Sequence, residues 1–219
     1  MAKLDTNHLR VDRIFPTNLS NIGGQPSGFF FTETGTAGQG EGVNCGGIVQ
    51  VVWGRFDSAT SASIPGNTGG TRIGPSLGWQ VEITPKSRLN RILIYCQWSG
   101  EISTPWSMVC GLTRRDVNQG TYTTIGPQSG DGNRLSGITV PTMSYAQAAG
   151  NNASTPESFT LWFVDSPGNG FRAPGPLQYM PWIATNSNRT MYIGRTQSDS
   201  NTRGHERMIN TMMAWEISS

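Results

Sequence analysis

Short runs of β-branched and aromatic residues, separated by clusters of Gly, Pro, Asn and Ser, dominate this 219-residue chain. No stretch shows the periodicity of an amphipathic helix, whereas ten segments have the composition of strands. These segments are Gly47–Trp53, Leu77–Ile83, Asn90–Trp98, Ser107–Thr113, Thr121–Ile125, Gly137–Met143, Ser158–Val164, Leu177–Ala184, Thr190–Arg195 and Met208–Ile217. Ten short strands with frequent turn signals predict an all-β fold, an antiparallel jelly-roll sandwich.

Two of the predicted strands carry apolar residues on both faces. In Asn90–Trp98 the run Ile92–Cys96 is apolar throughout. In Met208–Ile217 one alternating set contains Met208, Met212 and Ala214 and the other contains Ile209, Met213 and Trp215. A strand of this kind needs cover on both sides. We therefore expect each of them to lie centrally in the sandwich or against another subunit.

Residues 1–46 differ in composition from the rest of the chain, because a few apolar residues stand alone in a polar background. These apolar anchors are Ile14, Phe15, Phe29, Phe30 and Phe31. The segment Thr32–Gly42 has the composition of a linker. We therefore predict an extended N-terminal arm over residues 1–46, whose anchors dock on a partner, and a β jelly-roll domain over residues 47–219.

Charge and hydropathy exclude two classes of partner. Charged residues make up 14% of the chain and the net charge is +2, which gives no field that would favour nucleic acid. Apolar runs such as Ile92–Cys96 and Leu161–Val164 are too short to cross a bilayer, and residues 1–20 contain no apolar segment of a secretory signal. We expect neither nucleic acid nor a membrane as a partner.

The three cysteines are Cys45, Cys96 and Cys110. They are too few and too scattered for a disulfide framework or a cysteine-based zinc site. We expect all three to be free thiols, as suits a reducing compartment during folding.

Groups suited to catalysis are sparse. The two histidines are His8 and His205, and His205 could act as a base with Asp199 as its orienting acid and a hydroxyl as nucleophile. Abundant hydroxyl residues would supply such a neighbour by chance. A loop leading into the last strand is the favoured interpretation of this segment.

The fourteen acidic residues form no local pair of the kind that glycoside hydrolysis uses. Glu82 and Glu101 lie at strand positions where a solvated carboxylate is expected. Asp131–Asn133 and Asp199–Asn201 fit turns better than calcium loops. We therefore expect no enzymatic activity, no catalytic residue, no metal site and no cofactor.

The seven tryptophans have two interpretations. Exposed indoles stack on sugars and would form a glycan site, whereas buried indoles fill a core or a subunit interface. Strand positions favour packing for Trp79, Trp98, Trp162 and Trp215. The better candidates for exposure are Trp106, beside Pro105, and Trp182, after Pro181.

Six segments resemble, in order and spacing, a module common at the C-terminal ends of tailed-bacteriophage fibre and head-decoration proteins. They are Gly46–Val52, Val81–Ile94, Gly111–Arg115, Asp165–Pro167, Met191–Arg195 and Met212–Ile217. The most telling is Val81–Ile94, an apolar strand, a Thr-Pro turn and a strand that begins with a basic residue followed by Ile-Leu. Within the matching residues 46–217, Gly194 replaces the usual Asn and Trp215 the usual Met.

The resemblance implies an antiparallel jelly roll that assembles as a homotrimer on the virion exterior, with no catalytic residue to carry over. The predicted function is a capsid decoration or cement protein that binds the phage major capsid protein and stabilises its lattice. The alternative is a tail-fibre or spike tip that binds a host-surface glycan. Because residues 1–46 hold no heptads that would form a fibre shaft, the head is favoured. We expect the protein on the capsid exterior, and in the host cytoplasm during assembly.

Overall fold

A computed structural model describes residues 31–32, 44–45, 47–66, 70–73, 79–104, 107–126, 134–140, 156–168 and 175–218. Regular structure within these ranges consists of β-strands. The strands are β1 (Phe31–Thr32), β2 (Asn44–Cys45), β3 (Ile48–Phe56), β4 (Thr60–Ile64), β5 (Thr71–Arg72), β6 (Val81–Ile83), β7 (Arg91–Ile102), β8 (Met108–Asp116), β9 (Thr121–Ile125), β10 (Glu157–Asp165), β11 (Leu177–Thr185), β12 (Arg189–Ile193) and β13 (Asn210–Ile217).

The strands form two main antiparallel sheets with the order of a jelly roll. In the first sheet β3, β13, β7 and β10 lie side by side, and β12 and β4 continue it beyond the end of β13. In the second sheet β6 and β5 lie end to end beside β11, followed by β8 and β9.

The pairing of eight strands defines the fold. In chain order they are β3, β6, β7, β8, β9, β10, β11 and β13. The first pairs with the eighth, the second with the seventh, the third with the sixth and the fourth with the fifth. This nested antiparallel pairing is that of a jelly roll, so the predicted all-β sandwich is confirmed.

Alternation along each strand places one set of side chains between the two sheets. Trp79, Val81 and Ile83 are each at most 3% exposed, whereas Glu82 between them is exposed. The core also takes side chains from both sheets, among them Ile92, Ile94, Trp98, Leu112, Leu177, Tyr179, Met212 and Ala214. Because strand side chains point alternately to opposite faces, this core fixes which residues point outward.

Two buried carboxylates close one end of the sandwich, on either side of Ile92. Asp165 of the first sheet accepts hydrogen bonds from Arg114 Nη1 at 2.7 Å and from Tyr179 Oη at 2.8 Å, both in the second sheet. Glu216 Oε1 accepts from the Lys86 amide at 2.7 Å and from Asn90 Nδ2 at 2.6 Å. These bonds tie the two sheets and the β6–β7 loop together.

Two departures from the predicted strands have local causes. Thr60–Ile64 forms β4 although its composition is that of a Ser/Thr-rich loop, because it pairs with β12 along its whole length. The predicted strand Gly137–Met143 contributes only an isolated bridge between Thr139 and Cys110, and residues 141–143 lie outside the described ranges. Of the predicted arm, only β1 and β2 are described, and they pair antiparallel.

Candidate interaction surface

The outer face of the first sheet is apolar across four neighbouring strands. One row of directly opposed residues consists of Trp53, Met213, Tyr95 and Trp162, from β3, β13, β7 and β10. The next row consists of Val51, Trp215, Leu93 and Val164. We call these eight residues the apolar face.

The apolar face follows from strands that are apolar on both sides. In β10, Leu161 and Phe163 point toward the core, so Trp162 and Val164 must point outward. The same alternation in β13 buries Met212 and Ala214, and it turns Met213 and Trp215 outward. A soluble sheet with one solvated face normally has polar residues there.

Exposure is greatest at the two lateral borders of the apolar face. Trp53 is 66% and Val51 49% exposed on β3, while Trp162 is 54% and Val164 46% exposed on β10. The four central residues are half-buried by their neighbours. The rings of Tyr95 and Trp162 pack edge-on, with centroids 4.6 Å apart. The apolar face is therefore a continuous surface of large side chains that contacts solvent, most strongly at its two borders.

Polar residues border the apolar face at one end of its rows. The next row along the strands is Arg55, Thr211, Gln97 and Thr160. Arg55 pairs with Asp57 at 2.7 Å, and both side chains are more than half exposed. An apolar patch with a polar rim is typical of a surface that another molecule covers.

The chain itself covers the part of the second sheet's outer face that surrounds Trp182. Trp182 of β11 is 8% exposed and packs with Val109, Ala184 and Leu135. Gly70 lies so close to the Trp182 indole that a Cβ there would overlap the ring. The expected exposure of Trp182 is therefore wrong, because residues distant in sequence cover this indole.

The other aromatic predictions have different outcomes. Trp79 and Trp98 are 2% and 0% exposed, as their strand positions predicted. The exposure of Trp53 and Trp162 was not predicted, although apolar residues on both sides of each strand were the available signal. Trp106 and the anchors Ile14, Phe15, Phe29 and Phe30 lie outside the described residues, and only the backbone of Phe31 is described, in β1.

His205 lies near hydroxyl groups, but the predicted orienting acid is engaged elsewhere. His205 Nδ1 is 2.9 Å from Ser198 Oγ and 3.4 Å from Thr196 Oγ1. Asp199 pairs with Arg195 at 3.2 Å and with Arg207 at 2.7 Å, one arginine on each carboxylate oxygen. The arrangement stabilises the loop that precedes β13 and does not present a His–Asp pair.

Glu101 is 3% exposed, so the expected solvated carboxylate is wrong at this position. The residues after β12 fold over it, and the Gln197 amide donates to its Oε2 at 2.5 Å. Burial raises the pKa of Glu101, because removal from water disfavours the charged form. Glu82, by contrast, is exposed and accepts a hydrogen bond from Gln178.

Cys96 and Cys110 are free, as predicted, and are buried in the core, whereas the side chain of Cys45 lies outside the described residues. Burial raises the pKa of both thiols. Together with Trp79 and Leu161 they line a small apolar cavity of about 10 Å³.

Two kinds of feature are absent from the described part of the chain. No group of three or more His, Cys, Asp or Glu side chains there is placed to hold a metal ion. The same residues include no helix long and apolar enough to cross a membrane.

No protein-family model and no curated protein matches this chain. Among solved structures, the chain is similar to one in the structure of infectious bursal disease virus Gx strain, with 12% sequence identity and a TM-score of 0.35. The match covers 86% of this chain and 43% of that chain, so this chain spans less than half of the length of the protein it matches. A TM-score of this size carries no argument about function.

Proposed function

We propose that this chain is a non-enzymatic structural protein of a virion. Specifically, it is a homotrimeric capsid decoration or cement protein on the outside of a bacteriophage head, where it binds the major capsid protein and stabilises its lattice. The observation that carries the proposal is the apolar face, whose four border residues are between 46% and 66% exposed in the single chain. A surface of this kind is suited to a protein that works within an assembly.

Two further observations support the proposal. Jelly rolls are a common architecture of viral capsid domains. The sequence resemblance over residues 46–217 supplies the link to phage head decoration and to trimers. The non-enzymatic part is supported by the arginine partners of Asp199, which engage both oxygens of the acid that a nucleophile–base–acid site at His205 would use.

Copy number in the virion tests the head location directly. We expect several hundred copies per particle by quantitative mass spectrometry of purified virions, since a decoration protein follows the repeated capsid lattice. A dozen or so copies would contradict a decoration role and would place the chain in the tail.

Deletion of residues 2–44 tests the docking arm. We expect the shortened protein to remain a soluble trimer that no longer binds heads lacking the wild-type protein. Co-sedimentation with such heads is the measurement, and full-length protein is the control. Retained binding of the shortened protein would contradict the arm's role.

One observation favours the alternative, a tail-fibre or spike tip that binds a host-surface glycan. Trp53 and Trp162 are the two most exposed indoles described, and exposed indoles stack on sugar rings. On this hypothesis purified protein binds host cells and blocks infection, and Trp53→Ala or Trp162→Ala weakens both effects. Binding that survives both substitutions would argue against a glycan site on this face.

A further inference from the structure

We propose that residues 196–206, between β12 and β13, form a lid over Glu101 that is controlled by a proton. The lid lies closed over a protonated Glu101 and loosens when Glu101 is ionised. Its closure does not depend on whether the protein belongs to the head or to the tail of a virion.

The lid is a loop whose two ends meet at a fixed neck. Arg195 and Arg207 form an antiparallel bridge there, and each pairs with a different carboxylate oxygen of Asp199. The Gly194 amide donates to the Ser99 carbonyl oxygen at 2.9 Å, which ties the neck to β7. A loop of this length with adjoining ends is an Ω-loop, and such a loop can open locally while its neck stays in place.

Beneath the lid lies the side chain of Glu101, near the end of β7. Glu101 is 3% and Thr196 0% exposed, whereas Gln197 is exposed on the outer side of the lid. The Gln197 amide donates to Glu101 Oε2 at 2.5 Å and so joins the lid to β7. Glu101 Oε1 is buried and has no hydrogen-bond partner among the described residues. The closed lid therefore removes the carboxyl group from water but satisfies one of its oxygens only.

The charges around Glu101 do not compensate an ionised carboxylate. Glu157 from β10 and Glu206 from the lid carry the same sign of charge, and the opposing cation in the described part of the chain is Arg195. Its guanidinium is shared with the ion pair of the neck and with the ring of Tyr192, directly opposite Glu101 in the sheet, whose centroid is 4.8 Å away. An ionised Glu101 under the closed lid is thus a buried anion without a cation of its own, which is a costly arrangement.

Proton binding and lid closure are coupled with a definite sign. Burial raises the pKa of Glu101 and its two glutamate neighbours raise it further, against the lowering effect of the Gln197 amide and Arg195. With the lid open, the solvated carboxyl has its ordinary pKa of about 4.5. The closed lid therefore binds the proton more tightly than the open lid does. Closure is most stable below the ordinary pKa, and this stability is lost as the pH rises through the raised pKa.

Hydrogen exchange of the lid tests the proposal in the full-length protein. Mass spectrometry follows peptides that cover residues 196–206 between pH 4 and pH 8, in the wild type and in Glu101→Gln. Comparison of the two proteins at equal pH cancels the chemical pH dependence of exchange. We expect the ratio of wild-type to variant exchange rates to rise at least about tenfold over this range, the effect of one poorly satisfied buried charge.

Glu82→Gln is the matched control. Glu82 is exposed on the second sheet and accepts a hydrogen bond from the Gln178 side chain, so it also loses a carboxylate that has an amide partner. We expect the lid of this variant to exchange as in the wild type at every pH. Circular dichroism checks that each variant is folded.

Glu157→Gln tests the coupling without altering Glu101 itself, and it serves even if Glu101→Gln does not fold. Removal of a like charge lowers the raised pKa of Glu101. We therefore expect a smaller rise in lid exchange than in the wild type, ending at a lower pH. An unchanged rise in this variant would contradict the coupling.

The lid contains one other group that titrates in this range. His205 Nδ1 lies 2.9 Å from Ser198 Oγ, within the lid. A rise that persists in Glu101→Gln but disappears in His205→Gln would assign control of the lid to His205 and overturn the proposal. A ratio that stays constant from pH 4 to pH 8 would overturn it as well. Both results leave the proposed head decoration standing, since copy number in the virion tests that role.

Discussion

At the scale of single residues, burial decides which chemically active groups are available. Cys96 and Cys110 are 3% and 2% exposed, and burial raises the pKa of both thiols, so neither forms the reactive thiolate readily. Glu101 is buried in the same way, which a strand position alone does not reveal. Sequence identifies such groups but not their access to water.

Thiol labelling checks this conclusion. In a Cys45→Ser variant we expect Cys96 and Cys110 to resist iodoacetamide at pH 8 for as long as the protein is folded, because reaction requires exposure of the core. Both should react once the chain is unfolded in guanidinium chloride. Mass spectrometry counts the adducts, and rapid labelling in native buffer would contradict the buried positions.

At the scale of strands, pairing with a neighbouring strand makes one strand longer than its composition predicted. The segment Asn90–Trp98 was predicted as a strand, but β7 continues to Ile102 because β12 pairs with its last three residues. Gly100 lies at this junction, where a Cβ would collide with the carbonyl oxygen of Tyr192. The small residue permits the close approach of β12 to β7.

Substitution of this glycine tests the junction. We expect Gly100→Ala to lower the free energy of unfolding by about 1–3 kcal/mol, since the backbone of β12 must shift to admit the methyl group. Gly204→Ala is the control, because a Cβ at Gly204 meets nothing within 4 Å, and its effect should stay within about 0.5 kcal/mol. Urea denaturation measures both, and equal effects would contradict a crowded junction.

At the scale of the whole molecule, buried polar contacts hold the two sheets in one alignment. Arg114 and Tyr179 from the second sheet both bind Asp165 from the first, and the arginine and aspartate side chains are 15% and 7% exposed. Burial raises the pKa of Tyr179, and the neighbouring Asp165 raises it further, so the phenol remains a hydrogen-bond donor. The cluster links the sheets at one end of the core.

Removal of the arginine tests this link. We expect Arg114→Met to lower the free energy of unfolding by about 3–5 kcal/mol, because Asp165 loses its charged partner while it stays buried. Arg55→Met removes an arginine from an exposed pair and should change stability by less than about 1 kcal/mol. Denaturation at one fixed protein concentration keeps any effect of subunit association constant. Similar losses in the two variants would contradict the structural role of Asp165.

The sequence by itself determined the class of fold. Nine of the ten predicted segments contain a strand. The preference of β-branched and aromatic residues for strands is a local property, and turn residues mark where each strand ends. The sequence also predicted that Asn90–Trp98 and Met208–Ile217 need cover on both faces. The order of strands within the sheets, the pairing of β4 and the cover over Trp182 all depend on residues distant in the chain.

Only the tertiary structure showed the apolar face. Trp53, Tyr95, Trp162 and Met213 stand far apart in the sequence, and each could have packed inward within its own strand. The register of four antiparallel strands brings them into one row, and the core on the other side of the sheet turns them outward. The alternation of side chains is a local property that sequence reveals, whereas the choice of the inner face is made by the packing of two sheets.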